Sequence, residues 1–182
     1  MKFIPTALHG VWIIEPQRFG DSRGYFMESF RADVFRQHVG PVEFIQDNES
    51  ESGHGVLRGL HYQRGEASQA KLVRVSRGEV LDVAVDLRRS SPTFMQHIAV
   101  TLSQENGRQL FVPRGFAHGF LVTGEMAQFQ YKVDNVYCPD SEVSIRYDDP
   151  RLAIKWPQLA AAFVVSDKDR RGLNFEDAPL FQ

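Results

Sequence analysis

The chain has 182 residues, 42% of them hydrophobic and 24% charged, with a formal net charge of −2; this suits one soluble globular domain and excludes a disordered chain, a collagen-like chain and a coiled coil. A near-neutral balance without a basic block argues against general nucleic-acid binding, and no apolar run approaches the roughly 20 residues of a membrane helix. Cys138 is the sole cysteine, which leaves no intrachain disulfide and no cysteine metal cluster; with no signal pattern in the N-terminal MKFIPTALHG, a reducing cytoplasm is the expected location.

Along the chain, Ser29 to Val39 predicts a short helix with a weak apolar stripe at Phe30, Val34 and Phe35, stopped by Gly40-Pro41. From about residue 55 to 147 the pattern is strand after strand. Lys71 to Val75 is a strand that a turn at Arg77-Gly78 closes. Val80 to Leu87 alternates, with Leu81, Val83, Val85 and Leu87 on one face and Asp82, Ala84 and Asp86 on the other. Gln96 to Leu102 alternates again, and Asn106-Gly107 predicts a hairpin into Gln109 to Val112. Phe120 to Val122 and Ala127 to Val133 read as two strands split by Thr123-Gly124-Glu125, and Glu142 to Tyr147 as one more. Short strands at spacings of about ten residues, with so little helix, predict an antiparallel sandwich or barrel. Beyond Asp148-Asp149-Pro150 the chain turns irregular, and its Lys168-Asp169-Arg170-Arg171 cluster either caps the barrel or is solvated.

The stretch Gly107-Arg-Gln-Leu-Phe-Val-Pro113-Arg-Gly115-Phe-Ala-His118 has the spacing G-x5-P-x-G-x2-H, which resembles the second motif of the cupin jelly rolls. The fold class expected is therefore mainly β, an antiparallel cupin-like jelly-roll barrel with short flanking helices. The first cupin motif opens G-x5-H-x-H and adds a Glu. Gly55 and His61 are present, but Gln63 stands at the second histidine and no Glu has the right spacing. Two histidines fall short of the three protein ligands that a catalytic metal site normally needs. The barrel is expected to hold no metal and His61 to carry protons. His9, His38, His54 and His97 have no such context and are assigned to the surface.

Lys71 shares parity with Val73 and Val75, so it either snorkels at the rim or is held for chemistry. Tyr131 shares a face with Ala127, Phe129 and Val133, so it is either a core tyrosine or an acid. His61, Lys71 and Tyr131 inside one barrel would be a base, a cation for an oxyanion and a phenolic acid, a set suited to proton abstraction next to a carbonyl. Arg23, Arg58 and Lys168 are suited to a diphosphate. Arg58 and His61 lie three apart, on opposite faces of a regular strand, but Gly59 permits a bulge that brings both to one site. With no Rossmann or P-loop fingerprint, any nucleotide is expected as part of a substrate.

Asp21-Ser-Arg-Gly-Tyr-Phe-Met-Glu28, Gln46-Asp-Asn48, Val56-Leu-Arg-Gly-Leu-His-Tyr-Gln63, Gln69 to Arg74, Phe111 to Phe120, Tyr131-Lys132, Tyr137 to Glu142 and Asp167-Lys-Asp169 together resemble the dTDP-4-dehydrorhamnose 3,5-epimerase family over nearly the whole chain. The resemblance implies a cytoplasmic homodimer acting on a dTDP-sugar, dTDP-4-dehydro-6-deoxy-D-glucose, with no metal, no cofactor, no nucleic acid and no membrane. It implies one jelly-roll domain over 1–182, with an N-terminal dimer and substrate segment (about 1–50) and a C-terminal capping tail (about 150–182). His61 would be the general base, Asp169 its orienting carboxylate, Tyr131 the general acid and Lys71 the support for the C4 oxyanion. Arg23, Glu28, Gln46, Asp47, Asn48, Arg58, Lys71, His118, Glu142 and Lys168 match substrate-contacting positions. Phe19 and Tyr137 match aromatic positions near the nucleotide. The rivals are a monofunctional C3 or C5 epimerase and, further off, a metal-dependent cupin oxygenase or a non-catalytic sugar-binding jelly roll.

Overall fold

The computed structural model describes residues 1–182. In chain order the elements are β1 (Lys2–Pro5), β2 (Trp12–Glu15), β3 (Arg18–Asp21), β4 (Gly24–Met27), α1 (Ala32–His38), β5 (Gln46–Gly53), β6 (Val56–Gln63), β7 (Lys71–Asp86), β8 (His97–Ser103), β9 (Gln109–Val112), β10 (Phe116–Val133), β11 (Glu142–Ser144), β12 (Val164–Val165) and α2 (Asp167–Arg170). No helix is long and apolar enough to cross a membrane.

The two long central strands, β7 and β10, pair antiparallel along most of their length and belong to two layers at once. The first half of β7 and the second half of β10 lie between β9, β2 and β1 on one side and β5 on the other. The second half of β7 and the first half of β10 lie between β8 on one side and β6 with β11 on the other. Val73, Val75, Ala127 and Phe129 of the first layer pack against Val80, Val100, Leu102, Phe120 and Val122 of the second. Phe120 and Phe129 stack across the gap with ring centroids 4.2 Å apart. This two-layer antiparallel arrangement is the jelly roll expected from the strand pattern.

Four local expectations need correction. Gly78 does not turn the chain. It takes a φ of +79° inside β7, where an added Cβ would lie 1.7 Å from the Met126 carbonyl oxygen. The chain bends there from one layer to the other and stays in its ladder. Gly124 likewise lies inside continuous β10, opposite a shift in register between Val122 and Ala127. Glycine is a turn signal in sequence, but it equally marks a bulge or a close backbone approach within a strand. Asn106-Gly107 is a turn that carries the chain between layers, so β8 and β9 both pair with β7 and not with each other. The helix begins at Ala32 and not at Ser29, because the Ser29 carbonyl accepts from Gln109 Nε2 at 2.6 Å and Arg31 is extended.

The apolar side of Val80 to Leu87 faces outward. Val83, Val85 and Leu87 pack with Leu60, Tyr62 and Ala117 under Leu152, Phe175 and Ala178 of the C-terminal tail. The Asp82 side therefore faces the barrel interior. Phe35 of α1 covers the other layer, against Ile14, Leu72 and Phe111. β3 and β4 form a separate hairpin that pairs with no other strand.

Candidate active site

A cavity of about 590 Å³ opens between the two layers. β6 delivers two of its groups through an irregularity. In the β6–β10 register His61 pairs with His118 and Arg58 with Phe120, so two residues of β6 face one of β10. Gly59, at φ +131°, sits in this bulge, and Arg58 and His61 both line the cavity. Arg58 is steadied by a 3.0 Å hydrogen bond from Nε to Ser52 Oγ.

His61 Nε2 and Asp169 Oδ1 are 2.6 Å apart. Asp169 is buried on α2, where Ser166 caps the helix by accepting the Asp169 amide at 3.1 Å. Its second oxygen accepts from the Gly59 amide at 3.3 Å. Burial alone would raise the Asp169 pKa. The hydrogen bond and charge of His61, with the Gly59 amide and Ser166, bring it below the usual carboxylate value. Imidazole Nε2–H thus points to a carboxylate, and Nδ1 is the nitrogen free to take a proton.

Lys71 begins β7 and lines the same cavity. The residue is half-buried, yet desolvation pushes its pKa down to about 8, with Asp82 and Glu142 pulling it back up. Tyr131, opposite Asn48 of β5 and Val73 of β7, lines the cavity as well. Burial raises its pKa, Arg58 lowers it and Glu142 raises it further. His118 is buried, with Nε2 2.9 Å from both oxygens of a fully buried Asp82. Lys168 lines the cavity and pairs with Glu142 at 2.6 Å. Glu142 also accepts from the Tyr137 hydroxyl at 2.6 Å.

Other expected residues lie elsewhere. Gln46 donates to Asn48 Oδ1 at 2.8 Å on β5, while Asp47 takes the opposite face, 2.9 Å from Lys132. Phe19, Arg23 and Glu28 belong to the hairpin or the residue after it and line no part of this chain's cavity. Arg23 pairs with Asp21, and Phe19 is exposed. Three contributors were missed. Asp82 was legible as a carboxylate inside an alternating strand, and Ser166 as the cap of a Ser-x-x-Asp helix start. Gln63 enters the sequence pattern only as the residue at a missing ligand position. No three His, Cys, Asp or Glu side chains are grouped to hold a metal.

The fold and this cavity place the chain among cupin-like jelly rolls equipped for proton transfer. A family model described as dTDP-4-dehydrorhamnose 3,5-epimerase matches residues 5–177. The Pseudomonas aeruginosa dTDP-4-dehydrorhamnose 3,5-epimerase is 52% identical over 182 residues, covering 100% of this chain and 99% of that protein. The Escherichia coli enzyme is 51% identical over 94% of this chain and 92% of its own. A Legionella pneumophila dTDP-6-deoxy-D-glucose-3,5-epimerase, solved with dTDP-4-keto-L-rhamnose, superposes with a TM-score of 0.93 at 49% identity, covering 100% of this chain and 98% of that one. The chain belongs to the dTDP-4-dehydrorhamnose 3,5-epimerase family and is an isomerase.

Proposed function

We propose that the chain inverts C3 and C5 of dTDP-4-dehydro-6-deoxy-D-glucose to give dTDP-4-dehydro-L-rhamnose, in dTDP-L-rhamnose synthesis. The observation that carries this is the meeting of the His61–Asp169 pair, the Tyr131 phenol and the Lys71 ammonium around one cavity. Both hydrogens to be lost flank the C4 ketone. His61 takes one as a proton, and the electron pair moves through the new C–C double bond to the C4 oxygen. The Lys71 ammonium stabilises that enolate. Tyr131 returns a proton to the opposite face of the carbon, which inverts it, and the second centre follows in the same way. Asp169 keeps the imidazole oriented. Arg58 and Lys168, with Arg23 from a second subunit, neutralise the diphosphate, and Phe19 and Tyr137 stack on thymine. The working unit is a cytoplasmic homodimer; the lone Cys138 thiol suits a reducing compartment.

The test is NMR of the sugar nucleotide in deuterated water, following C3 and C5 separately. His61→Asn abolishes exchange at both carbons. Tyr131→Phe still incorporates deuterium with retained configuration, while net epimerisation falls by about 10²–10⁴-fold. Wild-type epimerisation by Tyr131→Phe would leave that tyrosine a core residue. Exchange confined to one carbon in the wild-type protein would make it a single-centre epimerase.

A further inference from the structure

Gln63 ends β6 two residues after His61, where a metal-binding cupin carries a further ligand. The residue is only 4% exposed, yet it lines no part of the catalytic cavity. The carboxamide is spent on backbone instead. Oε1 accepts from the Cys138 amide at 2.7 Å, and Nε2 donates to the Val136 carbonyl at 3.1 Å and the Ala67 carbonyl at 2.7 Å. One side chain therefore holds the peptide groups on both sides of Tyr137.

Tyr137 needs such a hold. It is 55% exposed and belongs to no hydrophobic cluster, so packing does not order it. Its hydroxyl reaches Glu142 Oε2, the oxygen that also faces Lys168 Nζ. Glu142 is in turn the register partner of Gln63 across β6 and β11. Gln63 thus holds the Tyr137 end of the pair with its side chain, while the next residue fixes the Glu142 end, the Arg64 amide donating to the Ser141 carbonyl at 2.9 Å. A ring on an unrestrained loop loses conformational freedom when a ligand stacks on it, and that loss weakens binding.

We propose that Gln63 is a positioning residue for the nucleotide end of the substrate, preorganising the Tyr137–Glu142 pair so that it sets affinity and leaves the proton-transfer steps alone. This rests on the proposed function, in which Tyr137 stacks on thymine. The residue type follows from the three bonds. Only a carboxamide of this length donates to two carbonyls and accepts from an amide. Glu in its place keeps the Cys138 bond but turns an anion toward two carbonyl oxygens.

The experiment measures calorimetric binding of dTDP and steady-state kinetics for Gln63→Glu, Gln63→Leu, Tyr137→Ala and Gln63→Leu/Tyr137→Ala, with a melting curve for each. Gln63→Leu and Gln63→Glu weaken dTDP and raise KM by roughly tenfold, the size expected for lost buried hydrogen bonds, with kcat unchanged. The double variant binds no more weakly than Tyr137→Ala, because Gln63 acts through that ring. If Gln63→Leu does not fold, Gln63→Glu, of equal size, carries the comparison. A fall in kcat at unchanged KM, or an effect that adds in full to Tyr137→Ala, overturns the proposal. Tyr137→Ala that binds dTDP as the wild type does would remove the thymine contact itself, and the proposal with it. Weakened Tyr137→Ala beside unaffected Gln63 variants overturns the role of Gln63 alone.

Discussion

In the proposed mechanism Lys71 ties the chemistry to pH. An oxyanion is stabilised by the charged ammonium, and burial lowers its pKa to about 8 against the pull of Asp82 and Glu142. Its contribution is therefore present at neutral pH and is lost as pH rises through about 8. The kcat/KM profile of the wild-type protein is expected to fall on the alkaline side there. Lys71→Arg keeps a cation at all accessible pH and abolishes that limb. Lys71→Met lowers the rate by about 10²–10³-fold, the usual cost of an oxyanion donor. An alkaline limb unchanged in Lys71→Arg would assign it to another group.

At the scale of elements, the bulge in β6 depends on two glycines that touch across the ladder. A Cβ on Gly119 would meet the Arg58 carbonyl oxygen at 2.6 Å, and one on Gly59 would meet Gly119 Cα at 2.6 Å. Both obstacles are backbone and cannot swing away. Gly119→Ala is expected to destabilise the protein by about 1–3 kcal/mol through overpacking. Pushing β6 from β10 between Arg58 and His61 also displaces the proposed base, and a shift of about 1 Å can cost on the order of 10²-fold in rate. Gly53→Ala on β5 is the control, since a Cβ there meets nothing within 4 Å and its φ is not positive. Denaturant melts and kcat/KM for the two variants measure the difference. Equal behaviour would show that the bulge tolerates a side chain.

At the scale of the whole molecule, the β3–β4 hairpin stands apart from the barrel. It is tied back by Arg18, which donates to the Glu105 carbonyl at 2.8 Å and to the Gln104 carbonyl. Phe19, Tyr25 and Phe26 are 56%, 58% and 70% exposed, an apolar display that a monomer rarely leaves in water. In the proposed homodimer the hairpin serves the second subunit's cavity. His61→Asn and Arg23→Ala should then be impaired singly but complement each other. Random reassortment of a one-to-one mixture puts both lesions into one site of each heterodimer, leaving roughly one site in four intact. Activity of the reassorted mixture, with its mass by light scattering, checks this. No recovery would mean that each chain completes its own site.

The sequence alone determined what is local. Alternation of period two marked the strands, and Gly59 marked the bulge that the β6–β10 register contains. Motif spacing pointed to His61 and His118 as barrel residues and to Gln63 as a departure from a metal set. What it left open were matters of long range. Leu81, Val83, Val85 and Leu87 alternate with Asp82, but which side is interior depends on the tail that covers the apolar side from residues far along the chain. Gly78 and Gly124 have the letters of turns, and only the opposing strand at each made them bends within β7 and β10. His61 meets Asp169 across 108 residues and His118 meets Asp82 across 36. No periodicity encodes such pairings, and only the family resemblance anticipates the first; they arise where α2 packs beside β6 and where β7 and β10 lie side by side in one layer, each imidazole meeting a buried carboxylate.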